Sequence, residues 1–177
     1  MSDFNDAIPT VLRHEGKFEN NSADPGGVTN YGISLRWLKS QGLFDELVIE
    51  EGDKTQEEMQ VIKNMTVAEA SGFYKAWWWD KYQYGNFNAQ SLATKIFDTS
   101  VNLGPPRTHR MLQVILGVVP DGVLGPKSFA EANAMSPSVL VVKFQTAQAQ
   151  FYRDLVVRNP KLEEFISGWL NRAYDRD

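Results

Sequence analysis

The chain has 177 residues, 42% of them hydrophobic and 23% charged, with a net charge of −4, no cysteine and two histidines, His14 and His109. That is enough for one domain with a real core, or barely two small ones, and it is not the composition of a disordered segment. It excludes disulfides, thiolate nucleophiles and thiolate zinc sites, leaves any metal site to carboxylates, and offers nucleic acid no run of Lys or Arg.

The elements read as mostly helical. Ser2 or Asp3 can cap a first helix in which Phe4, Ile8, Val11 and Leu12 follow helical spacing, with Pro9 near its start and Gly16 ending it. From Lys17 to Ile33 the chain is rich in Asn, Asp, Pro and Gly, and "YGIS" can hold the strands of a small hairpin. Ser34 then caps a short helix, "LRWLKSQG". Residues 43–64 are charged and weakly patterned, a short helix or two with loops.

Thr66 and Glu69 form a T-x-x-E capping box that opens the helix "VAEASGFYKAWWWDKY". A buried helix from about Asn88 is ended by Gly104 and two prolines, and "RTHRMLQVILG" makes another. "PDGVLGPKSF" joins an Asp-Gly turn to a Gly-Pro step with Pro126 at a helix start. Leu140, Phe144, Ala147, Phe151 and Leu155 stripe a long helix, and Pro160 opens the last one. No repeat or low-complexity linker divides the chain, so the expectation is a single mainly α unit over 1–177, with sub-regions at about 1–92 and 93–177.

The chemistry concentrates in "LRHEGKFENNSADPGGVTNYGIS". Glu15 ends an apolar helix and precedes a glycine, a place where partial burial would disfavour the charged carboxylate and suit a general acid. Asp24 lies nine residues later, and its Pro-Gly-Gly can turn the chain so that the two carboxyls face one another. Cleavage of a glycosidic bond asks for such a pair, one group to donate a proton and one to activate water or support the developing cation. Thr29 is near enough to orient the water. Read singly, the same glutamate is a solvated helix-end charge, and the same Asp-Pro-Gly-Gly is a turn.

Together these residues resemble the signature of glycoside hydrolase family 108, peptidoglycan-cleaving muramidases of phages and bacteria. That pattern runs His-Glu-Gly-Gly-aromatic, then Asp-x-Gly-Gly-x-Thr and x-Gly-Ile-Thr. Here Lys17 replaces the second glycine and Ser34 the last threonine. "WWWDKY" resembles the family's aromatic-Trp-Asp element. "FDTSVNLGPPRTHRMLQVILGVVPDGVLGPKSF" and "FISGWLNR" resemble the peptidoglycan-binding region that comes after the catalytic part. The resemblance implies a lysozyme-like fold, two lobes around a cleft, with a small β-hairpin after the first helix and Glu15 as general acid. The Glu–Asp–Thr order is also similar to that of T-even phage lysozyme, which implies Asp24 and Thr29 for water activation.

Other residues carry two readings each. On a regular helix from Val67 the apolar stripe takes Ala70, Tyr74 and Trp77, while Trp79 points away, either to stack on a sugar or to pack on a loop. Tyr31 lines the groove or packs in the hairpin. Asp98 and Asn102, four apart on one helix face, either bind N-acetyl and hydroxyl groups or form a helix cap or a buried structural polar pair. His14 orients a loop, and His109 reads as surface.

The implied function is an N-acetylmuramidase acting on the β-1,4 bond between N-acetylmuramic acid and N-acetylglucosamine, without metal or organic cofactor. The alternatives are a lytic transglycosylase and a non-catalytic cell-wall-binding protein. The expected partner is the peptidoglycan glycan strand, with no nucleic acid and no membrane insertion, and the expected state is a monomer. The N-terminus lacks the basic and apolar regions of an export signal and no stretch approaches a membrane span, so a phage endolysin made in the host cytoplasm fits. It would act in the periplasm after release by a holin.

Overall fold

The computed structural model describes residues 1–18, 28–43 and 54–174, with the backbone alone at 54–58. Among these residues the fold is mainly α with one two-stranded antiparallel hairpin, and the chain forms two compact units, Leu12–Tyr74 and Met1–Val11 with Lys75–Asp177. Helix α1 (Phe4–Glu15) begins where Asp3 Oδ1 accepts the Asn5 N–H at 2.7 Å, and it continues through Pro9. No helix among the described residues is long and apolar enough to cross a membrane.

In the unit Leu12–Tyr74, strands β1 (Thr29–Asn30) and β2 (Ile33–Ser34) lead straight into α2 (Leu35–Ser40), whose first turn is capped by Ser34 accepting from the Trp37 N–H at 3.1 Å. Helix α3 (Lys54–Asn64) precedes α4 (Val67–Tyr74). The predicted capping box is present at the start of α4: Thr66 N–H donates to Glu69 Oε2 and Glu69 N–H to Thr66 Oγ1. The Thr66 backbone N–H, and then its hydroxyl, hold the Glu69 carboxyl below the usual value. Val28, Ile33, Leu38, Ile62, Met65, Ala70 and Tyr74 are buried and make this unit's core.

In the other unit α5 (Gln90–Leu103) is the centre, buried at every residue from Leu92 through Ser100. A sub-region boundary at 92 therefore falls inside a continuous helix. Gly104, at φ +82°, separates α5 from α6 (Pro105–Leu116), and Pro126 opens α7 (Pro126–Ala134) as expected. The long α8 (Pro137–Arg158) is succeeded by a 3-10 turn at Pro160–Phe165 and by α9 (Ile166–Tyr174). The face that α8 buries is more polar than its leucine and phenylalanine spacing suggests. Gln145, Gln148 and Tyr152 are buried, while Ala147 and Phe151 are half-exposed.

After α4 the chain does not continue as a regular α-helix, because Lys75–Asp80 form a π-turn. A π-turn accommodates one extra residue and so rotates the next side chains by about 100° relative to α-helical phase. Trp79 is carried inward by that rotation. It is 5% exposed and meets Phe4, Phe97 and Tyr84 edge-on at 5.8, 5.4 and 6.2 Å.

Candidate active site

The last residue of α1 is Glu15, half-buried, and Gly16 turns the chain at φ +74°. The hairpin that meets Glu15 is as short as a hairpin can be. Asn30 pairs with Ile33, leaving Tyr31 and Gly32 as a two-residue loop with both φ angles positive, +49° and +75°. That is the loop form whose twist matches its strands. Glycine adopts it freely and tyrosine rarely does.

Two contacts hold the loop. The Tyr74 hydroxyl, from the end of α4, donates to Tyr31 O at 2.8 Å. On the other face of the strand the Asn30 Nδ2 donates to Ile62 O at 3.0 Å and Lys63 O at 3.3 Å, tying the hairpin to the end of α3.

Gly32 lies directly on Glu15. A Cβ at position 32 would fall 2.6 Å from Glu15 Oε2, 2.9 Å from Glu15 Cβ and 2.5 Å from Tyr74 Oη. The carboxyl and the phenol therefore crowd one point, and only a residue without a side chain fits between them. A half-buried carboxyl seated against a backbone turn is a group chemically able to act as a proton donor.

The structure brings together Glu15, Tyr31 and the hairpin, with Thr29 on β1 paired to Ser34 and half-exposed on the side opposite Asn30. Asp24 lies outside the described residues. Sequence reasoning does not find Tyr74 and Gly32 as neighbours of Glu15. Tyr74 reads in the sequence as one more apolar position, and Gly32 as a turn glycine. A phenol on an otherwise apolar stripe is the one signal that points to the first.

Three expected substrate residues belong to the other compact unit. Trp79 is enclosed by aromatic side chains, so it presents no face to a sugar. Asp98 is 1% exposed and paired with Arg172, whose Nη2 donates to Oδ1 at 2.9 Å and Nε to Oδ2 at 3.3 Å. Its partner is thus Arg172, on α9, and not the Asn102 of the expected polar pair. Asn102 is exposed, but its Oδ1 accepts the Tyr152 hydroxyl at 2.6 Å.

His109 is not on the surface. It is 1% exposed, with Nδ1 2.9 Å from Gly122 O and Nε2 2.9 Å from the Tyr84 hydroxyl. A carbonyl only accepts, so Nδ1 carries the proton and Nε2 accepts from the phenol. Burial holds the His109 pKa below the usual histidine value.

Comparison with known proteins identifies the family. The profile of the family described as Glycosyl hydrolase 108 matches residues 8–104, which include Glu15, the hairpin and Tyr74. A second profile, described as a predicted peptidoglycan domain, matches residues 107–174. No curated protein matches the chain. The structure of SagA from Brucella abortus is similar, with 26% identity and a TM-score of 0.69 over 98% of this chain and 96% of that one. With more than half of its length matched by one hydrolase profile and most of the rest by a peptidoglycan profile, this chain belongs to glycosyl hydrolase family 108 and is a glycoside hydrolase with peptidoglycan as its partner.

Proposed function

We propose that the protein is an N-acetylmuramidase that hydrolyses the β-1,4 bond between N-acetylmuramic acid and N-acetylglucosamine, with Glu15 as general acid. The observation that carries this reading is the seat of Glu15, a carboxyl laid against the Gly32 backbone beside the Tyr74 hydroxyl within the hydrolase-matched segment. The glutamic acid protonates the departing glycosidic oxygen as the bond to the muramic acid breaks. Water adds to the resulting oxocarbenium-like centre, and Asp24 and Thr29 are assigned to activate and orient it. Tyr31 lines the groove beside them. The setting that fits is a phage endolysin, monomeric, released by a holin to act on periplasmic peptidoglycan.

The test is lysis of permeabilised cells with the wild type and Glu15→Gln. The amide keeps the shape and removes the proton donor, so activity should fall by roughly a hundredfold or more while binding to sacculi persists. Asp24→Ala in the same assay should also be severely impaired. Mass spectrometry of the digest must show reducing muramic acid ends, whereas anhydro ends would make the enzyme a lytic transglycosylase. Near-normal lysis by Glu15→Gln removes the assignment.

A further inference from the structure

A concavity of about 260 Å³ lies within the unit that contains the peptidoglycan-matched segment. One wall is Lys81–Gln83, just beyond the π-turn, and the other is the loop Gly122–Leu124, with His109 between them. The first wall comes from the hydrolase-matched segment and the second from the peptidoglycan-matched one.

The polar backbone of Gly122 and Val123 is already engaged. Gly122 N–H donates to Gln113 Oε1 at 2.8 Å, and Gly122 O accepts from His109 Nδ1. Val123 N–H donates to Asp121 Oδ1 at 2.8 Å, and Val123 O accepts from Gln113 Nε2 at 2.9 Å. Both nitrogens of His109 are used as well. On this frame Val123 stands 68% exposed, an apolar side chain at the rim.

The same concavity is lined by a cation, Lys81. Lys81 Nζ sits 5.2 Å from the Trp77 ring and 5.7 Å from the Tyr82 ring, and among the described residues no carboxylate pairs with it. Gln83 beside it is in the left-handed region at φ +57°, a conformation a non-glycine residue adopts at some cost.

These features select a ligand class. A sugar brings several hydroxyls that need partners, and desolvating them against His109 and the Gly122–Val123 backbone, whose polar atoms are already bonded, is costly. A small ligand with methyl groups and one carboxylate meets the opposite demands: apolar contact with Val123 and Leu124, and a charge for Lys81. The volume lies just under the ~300–1,000 Å³ of drug-sized sites, the scale of about two small residues. We propose that this pocket binds the carboxylate end of the alanine-rich peptide stem of peptidoglycan, so that this unit holds the wall by its peptide rather than by its glycan. The inference rests on peptidoglycan being the partner.

The probes are N-acetyl-D-alanyl-D-alanine, its C-terminal amide and chitobiose, titrated into the full-length protein by calorimetry. The acid should bind roughly tenfold more tightly than the amide, the size of one charge-assisted hydrogen bond. Lys81→Gln should bring the acid down to the affinity of the amide, and Val123→Asp should weaken both, with thermal unfolding of each variant confirming the fold. Equal binding of acid and amide, indifference to Lys81→Gln, or binding of chitobiose in place of the dipeptide overturns the inference. If wild-type protein cleaves sacculi but no dipeptide binds, this inference alone falls. If sacculi are neither bound nor cleaved, the peptidoglycan reading falls with it.

Discussion

A methyl group at position 32 would have to occupy space within 2.6 Å of both the Glu15 carboxyl and the Tyr74 hydroxyl, on a backbone whose φ of +75° already disfavours a side chain. Gly32→Ala should therefore do two things at once. The left-handed conformation costs about 1–2 kcal/mol in unfolding experiments. The forced displacement of Glu15 should lower lysis by well over tenfold, since a misplacement of about 1 Å can cost a hundredfold. Full activity in Gly32→Ala would mean that the close seat is unimportant.

His109 gives a second single-residue expectation, in pH. Its folded pKa is depressed by burial, so folding favours the neutral ring. That contribution is complete above the unfolded value of about 6.5 and is lost as pH falls through the folded pKa. Stability measured by denaturant at pH 7.5 and pH 5 should drop more in the wild type than in His109→Gln, which cannot titrate. Equal drops would show that the ring does not contribute.

At the scale of elements, the π-turn at Lys75–Asp80 decides what the three consecutive tryptophans do. Because it swings Trp79 into the cluster of Phe4, Tyr84 and Phe97, Trp79→Ala should destabilise the protein by about 3–5 kcal/mol, as truncation of a buried aromatic does. A stable variant with weakened substrate engagement would return Trp79 to the groove. The caps at Ser34 and Thr66–Glu69, the Gly104 break and the Pro126 start are all legible, because each is set by residues within a few positions of one another. The π-turn is not, since nothing in "KAWWWD" distinguishes it from a helix that keeps its phase. Gln148 is equally hidden, because its reason for burial is Thr99, far away in the chain. His109 reads wrongly for the same cause: its partners are Tyr84 and Gly122, and a sequence shows neither contact. Of the site, Glu15 stands out by its spacing, whereas "YGIS", read as strands, holds the two-residue loop Tyr31–Gly32 and only the second strand, Ile33–Ser34. Tyr74 cannot be read, because only the fold brings its hydroxyl to Tyr31.

At the scale of the molecule, long-range polar contacts fasten α9 to α5. Arg172 is bidentate to the buried Asp98, and Lys95 Nζ donates to Arg172 O at 2.7 Å. Asp98→Asn would remove the buried carboxylate charge that the Arg172 side chain, 11% exposed, is bonded to, and should cost about 3–5 kcal/mol by denaturant unfolding. A loss under about 1 kcal/mol would place the pair with ordinary surface bridges. A second polar chain runs across α5 and α8. Thr99 Oγ1 donates to Gln148 Oε1, Gln148 Nε2 to the Tyr152 hydroxyl, and that hydroxyl to Asn102 Oδ1. Two helices joined only by leucines and phenylalanines can slide by a turn and still bury leucines and phenylalanines. With this chain of four, a slip of one turn would strand the donors and acceptors in the sequence of bonds, which favours one register of α8 on α5.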